Sequence, residues 1–147
     1  MSQTTTVPPI ANQFMKFMLR SRMHGLVSSS ILLISFTGRK SGKTYSTPVS
    51  YSQTGDQVTI FTHAAWWKNL RSGAPVTLRL RGLEIQGIAE TVAEDKQAVA
   101  AGLIEHLRKV PGDASYYGLT LDDHKSPGAE EVKQAAQTVV MIRVRLC

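Results

Sequence analysis

Hydrophobic and polar positions follow two different periods along this chain, and the switch between them divides it into strands and helices. Ile31-Leu32-Leu33-Ile34-Ser35-Phe36 is too short for a typical helix and rich in β-formers, which predicts a strand buried on both faces. Tyr45, Thr47, Val49 and Tyr51 then alternate with Ser46, Pro48 and Ser50, and the proline inside this period-two run predicts an edge strand. Thr54-Gly55-Asp56 is a turn signal and Val58 to Thr62 a third strand, so the first three strands form an antiparallel meander. Further on, Val76, Leu78 and Leu80 alternate with Thr77, Arg79 and Arg81, which gives a strand with an apolar inner face and a cationic outer one. Gly82 turns it into a strand from Leu83 to Val92, with Gly87 a candidate bulge, and Val140, Ile142, Val144 and Leu146 mark a final strand.

Four segments carry helical rather than strand-like signals. From Asn12, an N-cap candidate, Phe14, Phe17 and Met18 share one face and Gly25 ends the helix. With Lys16, Arg20 and Arg22, that face suits either the protein's own core or an anionic membrane surface. Ala64 to Arg71 is a short helix of about two turns stopped by Gly73 and Pro75. Glu94 to Val110 places Val99, Leu103, Leu107 and Val110 at helical spacing, closed by Pro111-Gly112. Asp122 to Gly128 is a polar loop, and Ser126-Pro127 opens a last helix through about Gln137. The expectation is a flexible arm over residues 1–12 and one domain over 13–147, of α+β class, mainly antiparallel β.

Composition narrows the setting. With 147 residues, 42% of them hydrophobic, the chain can bury a core without staples. Cys147 is the only cysteine, which excludes an intramolecular disulfide and fits a reducing cytoplasm. No early apolar run is long enough to span a bilayer. The net charge of +6 favours anionic ligands, phosphates or acidic surfaces without choosing among them.

Candidate chemistry concentrates at two places. Gly38-Arg39-Lys40-Ser41-Gly42-Lys43 lies between the first two strands and combines two glycines that permit positive φ with three cations, a combination suited to phosphate or carboxylate. It is not a P-loop: the spacing between its glycines is one residue short, and a strand follows where a helix is required. The alternative is a basic hairpin that binds nothing. Trp66 and Trp67, with His63, Lys68, Asn69 and Arg71 nearby, form either an aromatic wall beside a ring ligand or a plug at one end of a barrel. Tyr116 and Tyr117 are candidate donors to a developing oxyanion. His24, His63, His106 and His124 lack metal-ligand spacing, no serine sits in a nucleophile elbow, and no metal site is expected. If the protein is an enzyme, a cofactor supplies its reactivity.

The order Gly38-Arg39-Lys40-Ser41-Gly42, then Pro48, then Trp66-Trp67-Lys68-Asn69-Leu70, then an Arg-rich strand resembles the deazaflavin-dependent nitroreductase family over Phe14 to Leu146. The resemblance implies a split β-barrel with flanking helices that uses reduced deazaflavin (coenzyme F-420) as hydride donor to quinones, nitro compounds or activated alkenes. It implies that Arg39, Lys40, Ser41, Gly42 and Lys43 hold the acidic tail of the cofactor, beside Tyr45. The ring-bearing cleft would be bounded by Thr47, Pro48, Thr62, His63, Trp66 and Asn69, with Tyr116 and Tyr117 at the substrate. Where the family commonly has a second arginine three residues after Gly42, this chain has Tyr45, which cannot pair with an anion. Related barrels use flavin mononucleotide, and members of the family are usually dimeric or membrane-associated, which implies a homodimer here and leaves the first helix available for peripheral membrane contact. Two rival readings are a barrel that carries a cofactor or lipid without turnover, and a nucleic-acid-binding barrel using Arg79, Arg81, Arg143 and Arg145. The second lacks aromatic residues interleaved on those strands.

Overall fold

The computed structural model describes residues 31–122 and 127–147. The arm, the first helix, and Asp123, His124 and Ser126 of the polar loop lie outside the described residues. Six antiparallel strands close into a barrel in the order β1-β2-β3-β6-β5-β4. They are β1 (Ile31–Thr37), β2 (Thr44–Thr54), β3 (Gln57–Thr62), β4 (Ala74–Leu80), β5 (Leu83–Val92) and β6 (Val140–Leu146).

Period-two patterning decides which side chains enter the barrel. Leu32, Ile34 and Phe36 of β1 meet Val76, Leu78 and Leu80 of β4 and Ile142 and Val144 of β6 in one buried cluster. β1 is therefore buried on one face rather than two: Ile31, Leu33 and Ser35 are only half-buried, because closure leaves a strand with one interior side. Gly87 does not mark a bulge, since it pairs in register with Val76 and Leu146. A Cβ there would lie 2.6 Å from Val144 Cγ1 and 2.9 Å from the Arg145 carbonyl oxygen, so the glycine admits close strand approach.

The prediction of an edge strand fails for β2 as a whole and holds for part of it. Residues 44–50 pair with β1, whereas pairing with β3 begins only at Tyr51. Pro48 sits in the half that lacks a β3 partner, where its missing N–H costs no ladder bond. That gap between β2 and β3 is where the cleft described below opens.

A second core lies outside the barrel. Helices α1 (Lys96–Lys109) and α2 (Ala129–Thr138) pack Val99, Leu103, Leu107, Val132 and Ala136 onto Phe61 and Met141. Asp95 caps α1 by accepting the Ala98 N–H at 3.1 Å. Beyond the predicted Pro111-Gly112 stop, the chain does not loop out but forms a 3-10 helix (Pro111–Tyr117), which Gly118 ends in the left-handed region at φ 73°. The Trp segment is likewise a 3-10 helix (Ala65–Leu70), anchored by fully buried Leu70.

The outward arginines face carboxylates across the sheet, Arg79 opposite Glu84 and Arg143 opposite Glu90, so this face is not uniformly cationic. One polar atom inside the barrel stands alone. The Tyr51 hydroxyl is buried without a hydrogen-bond partner among the described residues. Tyr51→Phe should therefore leave the melting temperature unchanged or raise it, because it removes a desolvated donor and keeps the ring. A drop equivalent to more than about 1 kcal/mol in thermal unfolding would reveal a partner for the hydroxyl.

Candidate functional site

The cationic loop is held in shape by its own residues. The Gly38 N–H donates to the Lys43 carbonyl at 2.7 Å and the Gly42 N–H to the Gly38 carbonyl at 2.9 Å. Gly42 has φ 72°, as its residue type allows. Gly38 has a different reason for being glycine, since a Cβ there would lie 2.6 Å from the Tyr45 ring and 2.8 Å from Ser41 Oγ. Ser41 Oγ is 3.1 Å from the Tyr45 hydroxyl and accepts the Lys43 N–H at 3.2 Å. Tyr45 thus packs the loop, where the resemblance would place a charge.

Asn69 ties this loop to the Trp segment. Its Nδ2 donates to the Trp66 carbonyl at 2.9 Å, and its Oδ1 accepts the Arg39 N–H at 2.9 Å. Trp66 stacks on Phe36 with ring centroids 5.2 Å apart, and Phe36 on Tyr45 at 6.0 Å. Trp67 packs against the barrel core and carries the Arg71 guanidinium 4.8 Å from its ring centroid. Both tryptophans rest on the barrel core, but only Trp66 borders the cleft described next.

Together these elements form a cleft of two lobes that share Thr47 and Trp66. The basic lobe, of about 430 Å³, is bordered by Arg39, Lys40, Ser41, Tyr45 and Asn69 over a floor of Phe36. The aromatic lobe, of about 330 Å³, occupies the gap between β2 and β3 and is bordered by Pro48, Thr62, Asp113, Tyr116 and Tyr117. Both volumes are those of small-molecule sites. Among the residues expected from sequence, Gly42, Lys43 and His63 border neither lobe. Gly42 and Lys43 instead close the loop, and His63 packs its ring 5.9 Å from Tyr116 and 6.0 Å from Tyr117.

The tyrosine pair is asymmetric. Tyr116 is 69% exposed at the rim, whereas Tyr117 is 8% exposed beneath it. Burial first, then the Asp113 carboxylate and Tyr116, push the Tyr117 phenol well above its ordinary range. Tyr117 therefore stays neutral and can donate a hydrogen bond, while being a poor source of a transferred proton.

Sequence reasoning missed a polar chain behind this lobe. His106, 1% exposed on α1, places Nδ1 3.0 Å from Ser52 Oγ and Nε2 2.8 Å from Asp113 Oδ2. The Ser50 hydroxyl also donates to Asp113 Oδ2. The available sequence signal was an Asp seven residues after a His across a Pro-Gly stop, together with serines two apart on a strand. Among the described residues no group of His, Cys, Asp or Glu is arranged to hold a metal ion.

The residues present fit a planar cofactor with an anionic tail. Of the loop's amides, those of Lys40 and Ser41 have no partner among the described residues, and they lie beside two cationic side chains. The aromatic floor and the Trp66 wall suit a fused ring. When bound, a reduced deazaflavin supplies a hydride. Arg39, Lys40 and Ser41 would hold its tail and Trp66 would flank its ring, with the aromatic lobe adjoining.

Comparison with known proteins gives the family and the fold. The model of the F420H(2)-dependent quinone reductase family matches residues 16–118. No curated protein sequence matches the chain at a significant level. Among solved structures, an F420 reductase is similar at 14% identity and TM-score 0.54, over 86% of this chain and 94% of that one. A pyridoxamine 5'-phosphate oxidase-related, FMN-binding protein from Nostoc punctiforme has 10% identity and TM-score 0.52, over 95% and 81%. The heme storage protein HutZ from Vibrio cholerae has 10% identity and TM-score 0.52, over 92% and 89%. At these identities the structures share the split-barrel fold. The family model spans well over half of the chain, and the protein therefore belongs to that family of deazaflavin-dependent quinone reductases.

Proposed function

We propose that this protein reduces a small quinone with a hydride from reduced deazaflavin, the cofactor tail lying in the basic lobe and the acceptor in the aromatic lobe. The observation that carries the reading is the pair of adjoining lobes, one bordered by cationic side chains and one by aromatic ones, that meet at Trp66 and Thr47. Arg39, Lys40 and Ser41 engage the tail, with Gly42 and Lys43 holding the loop that presents them and Tyr45 packing beneath it. Thr47, Pro48, Thr62, Trp66 and Asn69 bound the ring site, and Tyr117, braced by His63, donates a hydrogen bond to the acceptor oxygen while Tyr116 covers it. Binding in register contributes most of the rate, since positioning a donor and acceptor face to face removes the entropic part of the barrier.

Nitro compounds and activated alkenes are further acceptors of the same kind, because each accumulates negative charge on hydride addition. Flavin mononucleotide is the alternative occupant, since it too joins a planar fused ring to an anionic tail. We place the activity in one domain over residues 13–147, in the cytoplasm. Among the described residues no helix is long and apolar enough to cross a membrane. The cationic, amphipathic pattern around Lys16 and Arg20 suits peripheral contact with an anionic membrane. A homodimer is supported by exposed Leu83 and Ile88 on β5, and one similar structure is described as a domain-swapped dimer.

The test is turnover with a panel of acceptors. Purified protein mixed with reduced deazaflavin should oxidise it on addition of a soluble naphthoquinone, and more slowly with nitroaromatic compounds and enones. Cofactor binding without oxidation by any acceptor would leave a carrier in place of a reductase.

A further inference from the structure

We propose that Asp113 selects the acceptor by charge: its carboxylate, set among tyrosine rings in the aromatic lobe, favours acceptors that carry a positively charged nitrogen over anionic ones of the same ring. The proposal deepens the reductase reading of the cleft and rests on it. It begins from the uneven charge of the two lobes. Arg39, Lys40 and Lys68 border the basic lobe. Among the described residues, Asp113 is the one charged side chain that borders the aromatic lobe.

The carboxylate is built into the fold. Its side chain is 21% exposed, and Oδ2 accepts two bonds, one from the Ser50 hydroxyl on β2 and one from His106 Nε2 at 2.8 Å. His106 is 1% exposed, and its Nδ1 lies 3.0 Å from Ser52 Oγ. An imidazole that donates from Nε2 and accepts the Ser52 hydroxyl at Nδ1 satisfies both bonds while uncharged. The network thus fixes the carboxylate in place without cancelling its negative charge. The same charge contributes, after burial, to holding the Tyr117 phenol neutral.

The surroundings suit a cation. Tyr116 and Tyr117 stand edge to face with centroids 5.1 Å apart, and both border the lobe with Asp113. A nitrogen cation is attracted by the ring faces through their quadrupoles and by the carboxylate through its charge. An anionic acceptor meets the carboxylate as a like charge, which costs affinity and enforces selectivity.

The reaction sharpens this preference. Hydride addition from reduced deazaflavin, which is oxidised in the step, brings two electrons and one hydrogen to the quinone. The quinone gains one negative charge, and a proton from water then completes the quinol. A neutral acceptor becomes an anion beside Asp113, and an anionic one a dianion. An acceptor with one positive charge becomes a zwitterion of no net charge, its nitrogen at the carboxylate and its oxyanion at the Tyr117 hydroxyl.

The test uses the full chain saturated with reduced deazaflavin and three naphthoquinones that differ only at the end of one ethyl linker: trimethylammonium, methyl or sulfonate. The order of kcat/KM should be ammonium, methyl, sulfonate, with about tenfold at each step for a partly solvated charge. The net charge of +6 favours the anion at long range, so this order cannot come from the field of the whole protein. In Asp113→Asn, whose amide oxygen can still accept from Ser50 and His106, the ammonium-to-sulfonate ratio should fall to within about threefold of one. Glu90→Gln removes the same charge from an exposed position on β5 outside the cleft and should leave the ratio as it is. A purely structural role for Asp113 would lower turnover of all three acceptors alike and keep the ratio. The proposal is overturned by a ratio that survives in Asp113→Asn or that Glu90→Gln abolishes equally. Should Asp113→Asn not fold, wild type decides alone, since sulfonate reduced as well as ammonium also overturns it. A wild-type protein that turns over none of the three overturns the reductase reading and the proposal together, whereas turnover without charge preference overturns the proposal alone.

Discussion

Replacing Arg39 and Lys40 together by alanine should weaken deazaflavin binding about thirtyfold while leaving the melting temperature unchanged. A hydrogen bond to a charged partner is worth about 1.5–3 kcal/mol when desolvated. Both side chains are exposed at the mouth of the basic lobe, and solvent screening reduces each to about 1 kcal/mol. Two such losses sum to about 2 kcal/mol, which is about thirtyfold in Kd. The fold should not register the change, because the Arg39 backbone N–H, not its side chain, makes the bond to Asn69. The wild-type affinity should also fall as salt is added, and the double variant should respond less, since screening acts on the charges that it lacks. Calorimetric titration at two salt concentrations checks both parts.

Phe36→Ala should damage fold and site at once. Phe36 is 5% exposed, belongs to the barrel core and forms the floor of the basic lobe, stacked between Trp66 and Tyr45. Truncating a buried Phe costs about 3–5 kcal/mol, enough to lower the melting temperature of a chain this size by about 10 °C or more. The Trp66 wall loses its backing in the same step, so cofactor affinity should fall as well. Leu78→Ala is the control, fully buried in the same core and absent from the cleft lining. It should cost about 2–5 kcal/mol and leave the affinity of the folded protein intact. Equal affinities in the two variants would mean that Phe36 supports the barrel and not the site.

Much of the barrel was legible because its signals are local. Leu83 to Val92 emerges with the predicted bounds, since period-two alternation and the flanking glycine report a strand without reference to its neighbours. The two faces of β4 were readable for the same reason. Features that depend on closure were not. β1 reads as buried twice over because its apolar run is continuous, yet a barrel strand has one interior face. Pro48 reads as an edge residue, and it is one only where β2 has not yet met β3.

The candidate site divides along the same line. Residues 38–43 and Trp66 to Asn69 announce themselves by composition, and the structure brings the two stretches together through one side chain, Asn69. Tyr45, expected at the cofactor, borders the basic lobe and also packs the loop, because Gly38 leaves its ring the space. The His106 network was missed because, although Asp113 follows His106 by only seven residues, the serines that complete it lie 54 and 63 residues away on β2. Neither Ser52 nor Asp113 carries a local signal that separates it from an ordinary polar residue.

The central claim is that the cleft joining the cationic loop to Trp66 is the deazaflavin site. It is tested most directly by titrating the purified protein with deazaflavin while following tryptophan fluorescence, with the Arg39→Ala/Lys40→Ala variant alongside. The account predicts saturable quenching, because Trp66 forms the wall between the two lobes, and a curve displaced about thirtyfold to higher concentration in the variant. Unchanged fluorescence with no heat of binding, or identical curves for the two proteins, would contradict it.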